Sequence, residues 1–260
     1  MKKPALLDLL CMRDSKLTRK DHYARILCGE IFVDDHCVRD PRQRVEPGAS
    51  VEYRPRRQYV SRGGQKLEGV LEQWHIDVQG VSFVDAGAST GGFTDCLLQR
   101  GASRVIAIEA GANQLDYRLR TDRRVHVLES TNIMDVRALP FEPEAAVADL
   151  SLRSLRKAAL HILGLVSEKW LIALVKPQYE WHAPSGDSQG VVLDGSATQE
   201  ILKRLLDDLQ SEGAFVHKIA ASQLPGRKGN REFFCLLRTD RAEADGDLES
   251  MITQAINRIY

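Results

Sequence analysis

Short apolar runs recur along the chain from residue 81 onward, and this pattern constrains the fold more than any other feature. Segments with helical periodicity separate most of the runs. Alternating strands and helices are typical of the α/β class with a doubly wound parallel sheet. The predicted strands are Val81–Ala86, Val105–Glu109, Val125–Glu129, Ala145–Leu150, Trp170–Val175, Ala214–Ala220 and Glu232–Arg238. The predicted helices are Phe93–Arg100, Asn113–Leu119, Leu155–Val166 and Thr198–Leu209. No helical pattern separates the last two strands, which predicts a terminal hairpin.

The first predicted strand leads into a glycine-rich segment, Val84–Asp95, and a helical pattern follows it. Glycines let the backbone approach a ligand closely, and a helix N-terminus offers unpaired N–H groups. A dinucleotide fingerprint would need glycine at Ser89, and a P-loop would need a lysine. The spacing D-x-G-x-x-x-G-G is instead typical of S-adenosylmethionine-dependent methyltransferases, and a glycine-rich turn that binds nothing is the alternative. The predicted cofactor-binding residues of this segment are Asp85, Gly87, Ala88, Ser89, Thr90, Gly91, Gly92 and Phe93.

Polar residues also stand at the ends of other predicted strands. Glu109 ends the second strand, where an acidic residue accepts the ribose hydroxyls of an adenosine cofactor. Asn132 follows the third strand and would face the adenine, or it would serve only as a turn residue. Because ligands of doubly wound sheets bind at the carboxyl ends of the strands, Glu109, Asn132 and Asp149 join the predicted cofactor site.

Four charged residues are predicted to meet at the same edge of the sheet. Asp149 ends the fourth strand, Lys176 ends the fifth and Glu232 begins the seventh, while Lys66 opens an earlier helical pattern. Two lysines and two carboxylates in one cleft would neutralise each other in pairs and influence each other's protonation. For Lys66 taken alone, simple exposure to solvent is an adequate explanation.

The composition limits the classes of protein to consider. Lys and Arg together equal Asp and Glu at 36 each, with the basic excess in residues 1–62. No apolar run approaches the roughly 20 residues that a membrane helix needs, and no signal-peptide pattern is present. The five cysteines lack C-x-x-C spacing, which indicates reduced thiols and argues against structural zinc. The histidines form no metal-binding motif, so we expect a cytoplasmic protein without a metal site.

Residues 1–59 have a different pattern, two short helices followed by a small β unit. Thr18 would cap a helix over Arg19–Gly29, and Ile31–Val33 and Val51–Tyr53 read as strands. This pattern resembles the αL RNA-binding module found in small-subunit ribosomal proteins, pseudouridine synthases and tyrosyl-tRNA synthetases. A capping or dimerisation domain is the alternative. The resemblance implies that a basic surface contacts RNA phosphates, and the RNA-binding candidates are Arg19, Lys20, Arg25, Arg56, Arg57 and Arg62.

Nearly the whole chain, to about Arg238, resembles the TlyA or hemolysin A family of RNA methyltransferases. The segments that carry the resemblance are the N-terminal module, Tyr59–Leu67, Asp85–Arg100, Leu174–Gln178, Gly190–Val192 and Asn230–Phe233. The order Lys66, Asp149, Lys176, Glu232 is similar to that of the FtsJ/RrmJ-like ribose 2′-O-methyltransferases. The resemblance implies a class I, Rossmann-like methyltransferase fold, S-adenosylmethionine as cofactor, and ribosomal RNA or a ribosomal subunit as partner.

The implied reaction transfers a methyl group to a ribose 2′-hydroxyl of ribosomal RNA. Lys176 would be the base and Asp149 would orient it, while Lys66 and Glu232 would adjust its protonation and position the ribose. The Asn/Asp-Pro-Pro-Tyr/Phe motif of base methyltransferases is missing, since Asp149 is followed by Leu-Ser-Leu. Two departures from the family pattern, at Leu152-Arg153 and at Ala110–Asn113, affect the regions expected to dock substrate and cofactor.

We therefore expect three segments: an RNA-binding module at 1–59, an FtsJ-like methyltransferase domain at 60–240, and a linker with a C-terminal helix at 241–260. The sequence leaves two alternative functions. A membrane-active hemolysin is disfavoured because the chain has no basic amphipathic helix. A catalytically weak paralogue that binds S-adenosylmethionine and RNA is the other alternative.

Overall fold

The computed structural model describes residues 3–27, 29–54, 59–151, 154–180, 194–226, 229–241 and 247–259. The chain divides into two compact units, Met1–Gln58 and Tyr59–Tyr260. Several positions singled out above lie outside the described residues, namely Arg56, Arg57, Leu152, Arg153 and Gly190–Val192. None of the described helices is both long and apolar enough to cross a membrane.

The first unit contains two helices and a small antiparallel sheet. Its elements are α1 (Leu6–Arg13), α2 (Arg19–Leu27), β1 (Ile31–Val33), β2 (His36–Val38) and β3 (Val51–Tyr53). The sheet order is β2-β1-β3. Thr18 caps α2 as predicted, because its hydroxyl accepts from the Asp21 N–H at 3.2 Å and the Asp21 carboxylate binds back to Thr18. The leucines of α1 pack with Ile26 and Ile31 in a separate core.

The strand β2 was not predicted, and its composition explains the omission. His36 and Cys37 are exposed and only Val38 is buried, so the segment lacks the apolar run that marks a strand. The preceding residues, Asp34 and Asp35, both have positive φ, as a two-residue hairpin turn requires. The turn therefore ends before His36, where β2 begins.

The second unit is an α/β domain around one large sheet. Its helices are α3 (Arg62–Trp74), α4 (Gly92–Gln99), α5 (Tyr117–Arg120), α6 (Leu155–Gly164), α7 (Pro177–Glu180), α8 (Gly195–Glu212) and α9 (Leu248–Asn257). Its strands are β4 (Ser82–Ala86), β5 (Arg104–Ile108), β6 (Val125–Leu128), β7 (Ala145–Ala148), β8 (Trp170–Val175), β9 (Phe215–Ala221) and β10 (Phe233–Arg238). The predicted strands are all present, shifted by at most two residues at either end.

The strand order is β6-β5-β4-β7-β8-β10-β9. The first five strands are parallel, and β10 lies antiparallel between β8 and β9. The predicted fold class, a doubly wound sheet with a terminal hairpin, is confirmed. The direction of chain winding reverses at β4, which pairs with β5 on one side and β7 on the other. This switch point creates a crevice at the carboxyl ends of the strands, where ligands of such sheets bind.

Helices cover both faces of the sheet, which is why the central strands β4 and β7 are buried along their whole length. One core lies beneath α3 and α4 and includes Leu67 and Leu97. The other lies beneath α6, α8 and α9. The C-terminal helix α9 buries Met251 and Ile252 in this second core, so it packs as an integral part of the domain.

The helix predicted at Asn113–Leu119 is wrong over its first half. Asn113 has φ 54°, and the helix begins only after Asp116, which caps it. The physical reason is Glu129, whose carboxylate accepts the N–H groups of Asn113, Gln114 and Leu115 at 2.8–3.0 Å. Because these N–H groups bind a carboxylate from the end of β6, the segment forms a turn around that carboxylate.

Candidate active site

The glycine-rich corner connects β4 to α4 at the switch point of the sheet. The N–H groups of Gly87 and Ala88 both donate to the Ile108 carbonyl, which fastens the corner to the end of β5. Gly87 has φ 82°, and a Cβ there would lie 2.7 Å from the Asp149 carbonyl oxygen. Gly91 has φ 92°, and a Cβ there would lie 2.2 Å from Leu119. The two glycines thus permit a sharp turn with close backbone packing, while Ser89 and Thr90 at its tip are exposed.

The N-termini of α3 and α4 meet beside this corner. A Cβ at Gly92 would lie 2.1 Å from the Ser61 hydroxyl oxygen and 2.9 Å from the Gly64 nitrogen. Ser61 caps α3 by accepting from the Gly63 N–H. The Gly63-Gly64 pair and the Gly91-Gly92 pair are therefore spatial neighbours, which explains why glycines stand at the start of both helices, within the first turn of α3 and at the cap and first position of α4.

Asp85 lies at the centre of the corner and is fully buried. Its Oδ2 accepts from the Thr94 hydroxyl at 2.6 Å and the Thr94 N–H at 3.0 Å. Within the described residues its Oδ1 has no hydrogen-bond partner. Burial raises the pKa of Asp85 to about 7; the Thr94 hydrogen bonds oppose this rise and the nearby Asp149 carboxylate adds to it. Asp85 therefore ties β4 to the first turn of α4.

Glu109 shapes the tip of the corner from the end of β5. Its Oε2 accepts from the Ser89 N–H at 2.9 Å, and its Oε1 accepts from the Gly111 N–H at 2.7 Å. The structure thus brings Glu109 to the predicted place beside the glycine-rich segment. The Asn132 side chain caps a 3₁₀ turn by accepting from the Met134 N–H at 3.1 Å, and its place beside the adenine stays a prediction.

Lys176 and Asp149 form an ion pair at the carboxyl ends of β8 and β7. The Lys176 Nζ lies 2.7 Å from Asp149 Oδ1. The contact joins a lysine side chain to a carboxylate, so the attraction between them is electrostatic. The Lys176 amine also donates to the Ser151 hydroxyl at 3.0 Å. The Lys176 side chain is 11% exposed, which leaves it a narrow opening to the crevice.

Lys66 and Glu232 form a second ion pair, more deeply buried than the first. Lys66 is 9% exposed and Glu232 is 4% exposed. Lys66 lies in the second turn of α3, which begins at Arg62, so the explanation by solvent exposure at the helix start is wrong. The register of β10 with β8 pairs Phe233 with Val175, so the preceding residue, Glu232, stands across from Lys176. The structure therefore brings the four predicted charged residues to one edge of the sheet.

One face of α3 packs against the loop between β9 and β10. The Arg62 guanidinium donates to the Pro225 carbonyl at 2.5 Å, Lys66 binds Glu232, and Gly69 allows the Gln223 side chain to approach. The spacing of these α3 positions places them on a single helical face. Arg62 was predicted to contact RNA, yet its guanidinium hydrogen-bonds this loop and helps to fix the segment that carries Glu232.

Other predicted residues belong to the core of the second unit or to the first unit. The Phe93 side chain is buried in the core, with its ring centroid 6.0 Å from that of Phe234. Arg19, Lys20 and Arg25 belong to α2 in the first unit, where the Arg25 guanidinium stacks 4.0 Å from the Tyr53 ring centroid.

The described residues hold no cluster of metal ligands, and the two buried thiols are not nucleophiles. No group of three His, Cys, Asp or Glu side chains there is arranged to hold a metal ion. Burial raises the pKa of both the Cys96 and the Cys235 thiol to about 12, so neither is a thiolate near neutral pH.

The sequence interpretation missed two contributors. Ser151 is a partner of Lys176, and it follows Asp149 at the two-residue spacing of a strand, a signal that could have identified it. Glu180 is 5% exposed and binds the N-terminus of α6. No local pattern identifies Glu180, because its partners lie some 25 residues earlier in the chain.

The fold and the crevice together define a methyltransferase of the doubly wound class. The chain belongs to the FtsJ-like methyltransferase family, whose match covers residues 59–239. It is 41% identical over 206 residues to the 16S/23S rRNA (cytidine-2′-O)-methyltransferase TlyA of Mycobacterium tuberculosis (strain H37Rv), covering 77% of each chain. It is 35% identical over 213 residues to Hemolysin A of Brachyspira hyodysenteriae, covering 80% of this chain and 88% of the relative.

A solved structure shows similarity along nearly the full length. A candidate hemolysin from Streptococcus thermophilus superposes with a TM-score of 0.71 at 29% identity, covering 99% of this chain and 96% of that one. The predicted resemblance to the TlyA and hemolysin A family is confirmed by these relatives.

Proposed function

We propose that this chain is an S-adenosylmethionine-dependent methyltransferase that methylates a ribose 2′-hydroxyl of ribosomal RNA. The observation that carries the proposal is the pair of lysine–carboxylate contacts beside the glycine-rich corner. Lys176 with Asp149, and Lys66 with Glu232, are held where neighbouring strands end. A 2′-hydroxyl is a weak nucleophile, so its methylation needs a base at the reacting oxygen.

Lys176 is the proposed base. After its own ammonium proton leaves, its amine can take the proton of the 2′-hydroxyl as the oxygen attacks the methyl group. Asp149 and Ser151 hold the amine from one side of the crevice. Lys66 and Glu232 are proposed to position the ribose and set the electrostatic field around Lys176. Because the displacement is in line, fixed placement of these groups supplies much of the rate.

The glycine-rich corner fits the methyl donor. Gly87 and Gly91 let the chain turn sharply against Asp149 and Leu119, and the exposed tip of the turn, Ser89 and Thr90, is where a ligand can lie. Glu109 stands where a carboxylate can accept ribose hydroxyls, and Asp149 offers negative charge toward a cationic donor. The bound cofactor would supply an activated methyl group on its sulfonium. The other residues proposed to line this site are Ala88, Ser89, Thr90 and Gly92, with Asp85 supporting them from beneath.

The choice of RNA is proposed from the relatives and from the first unit. The TlyA relative is named for action on 16S and 23S rRNA at cytidine 2′-oxygens. In this chain α2 carries Arg19, Lys20 and Arg25, of which the first two are exposed. Phosphate contacts from such a helix would position an RNA without reading its sequence. We therefore propose residues 1–59 as the RNA-binding module and 60–240 as the catalytic domain.

The proposal is tested by methyl incorporation into ribosomal subunits purified from cells that lack the modification. Radiolabelled S-adenosylmethionine should label the RNA, and nucleoside digestion should yield a 2′-O-methylated nucleoside. Lys176→Ala should lose the activity while keeping donor affinity, measured by calorimetry. A matched control is Lys203→Ala, because Lys203 is half exposed and pairs only loosely with Glu249 at 3.4 Å.

Three outcomes would oppose the proposal. Absence of incorporation by a folded wild type that binds the donor would favour the paralogue that binds without catalysis. A methylated base in the digest would refute ribose chemistry. Lysis of erythrocytes by the purified protein, unchanged by Lys176→Ala, would show a membrane activity independent of this site.

A further inference from the structure

The segment that follows β8 carries Lys176 and ends in a buried glutamate. Pro177 occupies the first position of α7, where a missing N–H costs nothing, so the turn begins directly after Lys176. The Tyr179 N–H donates to the Lys176 carbonyl at 2.9 Å and closes the turn. Glu180 ends α7 and is 5% exposed. A charged side chain is thus buried within one short turn of the proposed base.

The partners of Glu180 all lie at the start of α6. Its Oε1 accepts from the Leu155 N–H at 2.7 Å, and its Oε2 accepts from the Ser154 hydroxyl at 2.6 Å. The Arg156 guanidinium lies 3.3 Å from the same Oε2. The first N–H groups of a helix lack partners within the helix and form its positive end, so a buried carboxylate is well compensated there.

Two chain segments are therefore joined at two places. Residues 149–151 and 154–155 follow β7, and residues 176–180 follow the neighbouring strand β8. At one end, Lys176 contacts Asp149 at 2.7 Å and Ser151 at 3.0 Å. At the other end, Glu180 binds Ser154 and Leu155. Attachment at two points fixes the orientation of α7, whereas the lysine contacts alone would leave the turn free to pivot.

We propose that Glu180 is a positioning residue for Lys176: its attachment to the start of α6 holds α7 so that the lysine amine stays beside Asp149 and faces the ribose. The proposal rests on the assignment of Lys176 as the base. Glu180 acts through the lysine and touches neither the donor nor the RNA. Its removal should therefore lower kcat and leave the affinity for the methyl donor unchanged.

The same network offers a matched control. Arg156 extends from Glu180 to Asp208 on α8, where its Nε lies 2.6 Å from the Asp208 carboxylate. The Asp208 side chain is 54% exposed. Asp208→Ala removes the outer end of this bridge and leaves the contacts of Glu180 with Ser154 and Leu155 in place. Its kcat should stay within about twofold of the wild type.

The experiment compares Glu180→Ala, Glu180→Gln and Asp208→Ala in single-turnover methyl transfer to ribosomal subunits. Glu180→Ala should lose between about tenfold and 100-fold in rate, the scale of a misplaced catalytic group. Glu180→Gln should keep most of the wild-type rate, because an amide can accept from the Leu155 N–H and donate to the Ser154 hydroxyl. In a Lys176→Ala background, Glu180→Ala should cause no further loss, since the two residues act as a unit.

Three results would overturn the inference: a wild-type rate for Glu180→Ala, an equal loss for Asp208→Ala, or a further loss in the Lys176→Ala background. Amide hydrogen exchange at Leu155 provides a readout that needs no activity. Exchange there should quicken in Glu180→Ala and stay slow in Asp208→Ala, and equal exchange in all proteins would refute the attachment itself. If the wild type transfers no methyl group, the proposed function fails, while the exchange measurement still tests the attachment.

Discussion

Asp85 gives a prediction that depends on the fold alone. The carboxyl group is fully buried, and one oxygen receives both hydrogen bonds from Thr94. Asp85→Asn keeps an acceptor for Thr94 and places an amide where the other oxygen stands. The protonated acid and the amide are both neutral, so the two proteins should differ little at low pH. The difference should appear as the wild-type carboxyl group is forced to ionise.

The magnitude follows from the pKa of Asp85, which burial raises from 3.8 to about 7. Between these values the folded protein keeps a proton that the unfolded chain loses, so rising pH favours unfolding. Each pH unit in this window costs at most about 1.4 kcal/mol. From pH 5 to pH 8 the wild type should therefore lose about 3 kcal/mol relative to the asparagine variant. The loss should level off above the folded pKa.

Urea unfolding followed by tryptophan fluorescence measures this difference. All three tryptophans, at positions 74, 170 and 181, lie after Gln58, so the signal reports on the larger unit. The free energies of unfolding of wild type and Asp85→Asn should be compared at half-unit steps from pH 5 to pH 8. A difference that stays constant across this range would refute the reasoning, as would a variant that loses stability as steeply as the wild type.

Two other predictions concern the same edge of the sheet. Gly91→Ala should lower Tm and abolish donor binding in calorimetry, because its φ is 92° and the new Cβ would lie 2.2 Å from Leu119. Gly213→Ala has a similar φ of 102° and open space around it, so it should cost only about 1 kcal/mol and leave binding intact. Glu129 has its pKa lowered to about 2 by hydrogen bonds from backbone N–H groups, led by Leu115, and by Arg120. The stability that Glu129 contributes is complete above its unfolded pKa of 4.5 and is lost as pH falls toward 2. The free energy of unfolding should therefore fall less steeply between pH 4.5 and pH 2 in Glu129→Gln than in the wild type, as measured by urea unfolding.

Much of the fold could be predicted because each central strand is a short apolar run that the local sequence shows. Val84, Ile106 and Val147 lie in short apolar runs whose length and spacing favour buried strands, and all three are buried. Turns defined by distant partners were harder to predict. The segment beginning at Asn113 reads as helical, and only the Glu129 carboxylate from the next strand explains why it turns.

The contacts of the candidate site also fall into two groups, those that follow from strand order and those that depend on residues far apart in the sequence. Asp149 and Lys176 follow neighbouring parallel strands, so their meeting follows from the strand order. The environment of Lys66 could not be read locally, because its partner Glu232 lies 166 positions away. Arg62 has a contact that the sequence could not reveal, a hydrogen bond to the Pro225 carbonyl of its own domain, and its contact with RNA stays a prediction.

The position of β10 has a consequence for the synthesis of the protein. In the sheet, β9 is the edge strand, and β10, which follows it in sequence, lies between β9 and β8. During translation, Lys66 emerges early and has no countercharge until Glu232 has left the ribosome. A nascent chain can therefore form the glycine-rich corner long before it can complete the lysine–carboxylate cleft. The cleft is therefore complete only after β10, the last strand, has entered the sheet.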